Sequence, residues 1–276
     1  DMTVGKPWED IVIFTVPMLI GNIAQQLYNT VDSIVVGQFV GANALAAVGS
    51  AGPILNLLIV LFIGISMGSG IMVSQYLGAR NREALSKTIG TSIVLTAVAS
   101  LLVMVVATLA ARPLLELLGT PETIIDWCTY YLRIMFLGIA GMAYYNILSG
   151  ILRGLGDSMS ALLYLLIASG LNIALDLLFV ARFHMGVAGV ALATAISQAI
   201  SALLCLWRLT RLKDLFELEW KYVRLSKIHM SGIIRLGVPS GVTQAILSMA
   251  MLVVQSLTNS FGELFIAANV IVMRVD

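Results

Sequence analysis

KTIGTSIVLTAVASLLVMVVATLAA, residues 87–111, carries a single charge, at its first residue. A helix crosses the hydrocarbon core of a bilayer in about 20 mostly apolar residues, so this stretch is long enough to span and too apolar to face water. Similar stretches run near 11–38, 43–77, 123–150, 158–181, 187–209 and 233–260, and another begins near Leu264. We number these spans one to eight in chain order. Several exceed the minimum, so they must tilt, bend or project beyond the bilayer. Composition agrees: 59% of residues are apolar and 11% charged, against roughly 25% charged in soluble domains. Mean hydropathy is +0.97. The expected fold class is all-α, a polytopic transmembrane helix bundle.

The first stretch is too long, and too polar in its middle, for a cleaved signal peptide, and no small-residue cleavage site follows it. A net charge of +1 gives no reason to expect nucleic acid as a partner. Cys128 and Cys205 fall in different spans near opposite membrane faces, so a disulfide between them is not expected. Lys and Arg concentrate on one set of loops: Lys6 before span one, Arg80, Arg82 and Lys87 between spans two and three, Arg153 between four and five, and a dense run from Arg208 to Arg235. The opposite loops hold Arg112 and Arg182. Positive loops face the cytoplasm, which places the N-terminus there.

RLKDLFELEWKYVRLSKIHMSG is the one long polar stretch. It reads as a solvated linker, or as a segment whose Phe216, Trp220 and Tyr222 rest among headgroups. After it, IIRLGVPSGVTQ (233–244) aligns with IVIFTVPMLIGN (11–22), Pro239 on Pro17 and Gln244 on Asn22. Internal repeats of helices are how secondary transporters are commonly built. The expected organisation is a six-helix lobe over 1–210, a cytoplasmic linker over 211–232, and the start of a second lobe over 233–276.

Ionisable residues inside a span are expensive and are functional candidates for that reason. Asn22, Gln25, Asn29 and Asp32 step by three, four and three along span one and form a single stripe. Hydrogen bonding between helices explains the amides better than it explains Asp32. In span five, Asn172 and Asp176 lie one turn apart within apolar sequence. A structural Asp176 would pair with Arg182 or Arg133. Thr194 in span six is unremarkable alone, because a threonine often bonds its own helix. Convergence of these oxygen donors would suit a proton or a hard cation such as sodium, and nothing suits a transition metal. His184 and His229 fall near opposite faces. The small-residue pattern of Gly64 and Gly68 in span two permits close helix approach and carries no substrate information.

Taken together, VPMLIGN (16–22), YNTVDSIVVGQFVGANALAAVG (28–49), GISMGSG (64–70), SQYLGARN (74–81), LRGLGDS (152–158), LNIALDLLFV (171–180), GVAGVALATAISQ (186–198) and VPSGVTQ (238–244) resemble the multidrug and toxic compound extrusion (MATE) family. The resemblance implies two six-helix lobes related by pseudo-twofold symmetry, in a prokaryotic plasma membrane. It implies export of amphipathic, mainly cationic compounds in exchange for sodium or protons, with no cofactor and with one full-length chain sufficient. It also implies a cation site at Asp32, Asn172, Asp176 and Thr194, these four being metal ligands if sodium is the coupling ion. Tyr28, with Asn22, Gln25 and Asn29, becomes a cavity-lining candidate. The chain stops in span eight, so these functions are expected of a full-length parent.

Two rivals stand beside this reading. A lipid-linked oligosaccharide flippase of the same superfamily would place basic residues in its cavity, and Arg133 and Arg274 keep it in play. An intramembrane aspartyl protease would use the GxGD pattern of Gly154–Asp157 with Asp32 or Asp176 as partner, both within the membrane. Asp157 instead falls beside Arg153 in a predicted cytoplasmic turn, where an aspartate is an ordinary N-cap. No GxxxxGK[ST] loop indicates an ATP-driven pump.

Overall fold

The computed structural model describes residues 7–117, 122–212, 215–216 and 220–260. The described residues fold as helices: α1 (Pro7–Phe39), α2 (Ala42–Gly78), α3 (Arg82–Leu117), α4 (Glu122–Leu137), α5 (Ile139–Gly154), α6 (Ser158–Asp176), α7 (Gly186–Arg211) and α8 (Lys227–Ser260). A π turn over Leu177–Arg182 follows α6, and a short 3-10 turn covers Trp220–Tyr222. Span eight and Arg274 lie outside the described residues.

Four of these stretches are long and apolar enough to cross a membrane: Ala47–Gly78, Arg82–Glu116, Ser158–Arg182 and Gly186–Arg211. The α4–α5 pair makes a fifth. With 33 and 34 residues, α1 and α8 also have the length to cross.

Three sequence expectations need correction. Span four is not one continuous helix, since α4 and α5 meet at Gly138 with a bend of 50°. There α7 presses close: a Cβ on Gly141 would lie 2.9 Å from the backbone nitrogen of Ala199. Span five leaves α-helical geometry immediately after Asp176. The polar segment before α8 is not simply solvated. Phe216 is fully buried, the Arg224 carbonyl accepts from Thr91 Oγ1 at 3.2 Å, and the backbone of Tyr222 packs on Gly90.

Two apolar cores lie one above the other along the bundle. One gathers Val36, Ala47, Cys128, Leu132, Phe136 and Val190; the other gathers Ile89, Ile147, Leu148, Ile151, Leu209 and Phe216. The two cysteines are buried and unbonded to each other. In a lipid-solvated bundle, helices associate through close packing and hydrogen bonds rather than through exclusion of water. Glycines supply the packing. A Cβ on Gly68 would strike the Ile233 carbonyl, and one on Gly237 would strike that of Gly64, so α2 and α8 touch backbone to backbone. Hydroxyls supply cross-links: Ser66 Oγ donates to the Asn146 carbonyl at 2.6 Å, and Ser201 Oγ to that of Tyr164 at 3.0 Å.

Candidate functional site

Asn172 and Asp176 sit one helical turn apart on the face of α6 that meets α7 and α1. Both are completely buried, and Thr194 of α7 is nearly so. The Asn172 amide fits one orientation best, because the other leaves its oxygen facing acceptors. In the satisfied orientation its nitrogen donates to Asp176 Oδ2 at 2.9 Å, and its oxygen accepts from the Thr194 backbone N–H at 3.1 Å and hydroxyl at 3.3 Å. Asp32 reaches in from α1 and contacts the Asp176 carboxyl directly. The structure thus brings together Asp32, Asn172, Asp176 and Thr194 from three helices.

Within this cluster Asp32 Oδ1 and Asp176 Oδ1 are buried with no hydrogen-bond partner. Unsatisfied buried oxygens are rare enough to require a reason. The partners of Asp176 are an amide and a second carboxyl rather than Arg182 or Arg133. Two carboxylates this close, in a poorly hydrated pocket, resist carrying two negative charges together, and a proton or a small hard cation between them relieves the repulsion. The donor set is all oxygen, and the described residues contain no cluster of three or more His, Cys, Asp and Glu that would hold a metal. Asn172 presents hydrogens to the carboxylate, so serving as a sodium ligand would require its amide to turn over.

The π turn shapes this site. Phe183 N–H bonds the Leu178 carbonyl at 3.0 Å, one residue further back than an α-helix allows. Such turns frequently occur at functional positions. His184 (φ 54°) and Gly186 (φ 60°) then reverse the chain into α7, which carries Thr194 back beside Asn172.

The other candidates lie elsewhere. Asn29 is exposed on the outside of α1, and the Tyr28 side chain is outside what the structure describes. Asn22 and Gln25 line a separate cavity of about 190 Å³ between α1, α5 and α6. Gln25 precedes Asp32 by seven residues, roughly 10 Å along a helix. This cavity also holds Tyr145, Asn146 and Ser149, which the sequence reading did not single out, and Arg153, which it read only as a loop charge. Asn146, Ser149 and Arg153 share a face of α5 at spacings of three and four, so a search for polar stripes would have found them.

Arg133 is exposed. Asp157 caps α6, accepting from Ser160 N–H at 3.1 Å and from Arg208 Nε at 2.7 Å; its salt-bridge partner is Arg208 rather than the neighbouring Arg153. Nineteen residues of α6 separate it from Asp176, roughly 28 Å at 1.5 Å per residue. Those carboxyls cannot share a water, so the protease reading fails on distance.

Known transporters share this fold. The chain is 32% identical over 280 residues to the "Probable multidrug resistance protein YoeA" of Bacillus subtilis (strain 168), an alignment covering 98% of this chain and 60% of that protein. The chain therefore spans about 60% of the length of such curated relatives. It superposes with a TM-score of 0.86 and 30% identity on a structure described as the outward-facing conformation of a multidrug resistance MATE family transporter of the MOP superfamily, over 94% of this chain and 57% of that one. With a TM-score of 0.89 and 30% identity it also matches a MOP superfamily transporter from Pyrococcus furiosus, over 98% of this chain and 60% of that one; the binding pocket of that transporter is described as having a reverse polarity that suggests a different function. These relatives are transporters and not enzymes, and the chain is a multi-pass membrane protein like them. The MatE family matches residues 17–178, a stretch that runs from the proline of α1 through both carboxylates of the buried cluster, and the chain belongs to that family.

Proposed function

We propose that this chain forms the first lobe, and the beginning of the second, of a cation-coupled antiporter that exports amphipathic, mainly cationic compounds by alternating access. The observation that carries this reading is the enclosed cluster of Asp32, Asn172, Asp176 and Thr194, with two carboxylate oxygens left without partners. A proton or a sodium ion binding there shifts the conformational equilibrium to the extent that it binds one state better than the other. Neutralising one carboxylate removes that difference while preserving the fold.

The test is counterflow by the full-length transporter in liposomes, with sodium and pH gradients imposed separately. Asp32→Asn and Asp176→Asn express normally and lose gradient-driven export; wild-type rates under both gradients would make the carboxylates structural. The gradient that drives the wild type identifies the coupling ion. We further propose a bacterial plasma membrane location with the N-terminus cytoplasmic. The ends of α2, α5 and α7 and the start of α8 lie at one end of the bundle, as the Thr91–Arg224 and Arg208–Asp157 contacts require, and that end carries the Lys/Arg excess. An impermeant thiol reagent added outside cells labels Thr120→Cys and spares Ser226→Cys; the reverse pattern would invert the topology.

A further inference from the structure

Two arginines sit half-buried at the same end of the bundle. Arg208 has a carboxylate, Asp157, at 2.7 Å. Arg153 lines the 190 Å³ cavity and has neither an ion pair nor a side-chain hydrogen bond among the described residues. Taking a guanidinium partly out of water without a counter-charge is costly, and its planar fork of N–H donors is well suited to phosphate. Around it stand neutral hydrogen-bonding groups: Asn22 and Gln25 from α1, Tyr145 and Ser149 from α5, and Ser158 at the start of α6. Among the described residues of the lining Arg153 is the one that is charged, and none is a carboxylate. The cavity's sign is therefore opposite to that of the Asp32–Asp176 cluster.

The cavity also has an apolar wall: Ala161, Leu162 and Leu165 of α6 line it beside the polar groups of α1 and α5. On the same helices, Leu19, Ile20 and Leu163 are exposed apolar side chains. We infer that the cavity between α1, α5 and α6 is an anion site in which Arg153 holds a phosphate group, carried either by an anionic phospholipid headgroup or by a soluble phosphate.

The experiment uses the full-length transporter, purified in neutral detergent and titrated with phosphatidylglycerol, phosphatidylcholine or inorganic phosphate. Melting temperature and native mass spectrometry report binding. Phosphatidylglycerol should raise the melting temperature saturably where phosphatidylcholine does not, and Arg153→Gln should weaken that binding by about tenfold, the effect of losing one charge-assisted contact. Arg211→Gln, at an exposed arginine on the same end, should leave it unchanged. Gln25→Trp keeps Arg153 and fills the cavity, so it should also abolish binding, and it decides the matter if Arg153→Gln does not fold. Protection by inorganic phosphate that depends on Arg153 and that the lipid does not exceed would identify soluble phosphate as the source. Equal binding of both probes by wild type, Arg153→Gln and Gln25→Trp would overturn the site, as would an equal loss in Arg211→Gln.

Discussion

We propose that α1 and α8 are two copies of one helix with different tasks. Each is more than 30 residues long and carries an internal proline, Pro17 or Pro239, at matching positions of the aligned sequences. At the offset that carries Pro17 onto Pro239, the stripe Asn22, Gln25, Asn29 and Asp32 falls on Gln244, Leu247, Met251 and Val254. The second copy keeps one amide and replaces the carboxylate with valine. Packing diverges in parallel. α1 lies mainly against α6, bringing Asp32 to its partners, whereas α8 lies mainly against α2 through Gly237 and Gly241. A buried carboxylate is tolerable only with partners around it, so a repeat can preserve helix length and an internal proline while one copy holds the chemistry.

The largest effect expected from this comparison concerns packing. Gly237→Ala drives a methyl into the Gly64 carbonyl, while Gly21→Ala meets Leu162 and Leu165 at an ordinary 3.6 Å. The first should cost about 2–3 kcal/mol, in line with overpacking, and the second no more than about 0.5 kcal/mol, both read from denaturation midpoints. Equal costs would show that α1 and α8 are held alike. Next comes chemistry. Asp32→Asn should remove coupling of about 1–3 kcal/mol, or roughly five- to 150-fold in the gradient dependence of export. Adding Val254→Asp to that variant should not restore it, because α8 packs on α2 and α3 rather than beside Asn172 of α6 and Thr194 of α7; rescue in a counterflow assay would break the asymmetry.

A smaller change is expected for Thr194→Val, which deletes one hydroxyl contact to the Asn172 amide and keeps both carboxylates. Loss of a neutral hydrogen bond costs about 1 kcal/mol, so coupling measured by counterflow should weaken without vanishing. The smallest effect calibrates the rest from outside both copies. Burial pushes the Asp157 carboxyl up, but hydrogen bonds from Ser160 and Arg208 outweigh it and hold the carboxyl below its ordinary range. A lowered folded-state value gives stability that is present above about pH 4 and is lost as pH falls through that lowered value. At most about 1 kcal/mol is expected for a partly exposed pair. Melting temperatures of wild type and Asp157→Asn should therefore differ at pH 7 and converge as pH falls through that lowered value.

The membrane class and the positions of the spans were legible because hydropathy is additive along the chain. The Asn172–Asp176 pair was legible too, being a matter of helical period. The contact from Asp32 to Asp176 is not periodic; it depends on how α1 leans on α6, and only resemblance pointed to it. The break at Gly138 was hidden because apolar residues continue on both sides of it and the residue pressed against it, Ala195, lies in another helix. Phe216 was read as interfacial because its neighbours are charged, and its burial depends on a pocket assembled by α3, α5 and α7. Arg153 was read for its charge alone, although its place in a polar stripe was already visible in α5.

The π turn after Asp176 has a consequence for sequence change. A π turn is an α-helix accommodating one extra residue, and at 3.6 residues per turn one residue corresponds to about 100° of rotation. Length variation in this region should therefore be written there. A single-residue deletion within 177–182 can be absorbed by reverting the turn to α-helix, leaving Asn172 and Asp176 on the same face. The same deletion between Asn172 and Asp176 would swing the carboxyl away from Thr194 and toward lipid. A deletion scan across 158–182, scored for export, would show a tolerant window beginning one residue after the aspartate.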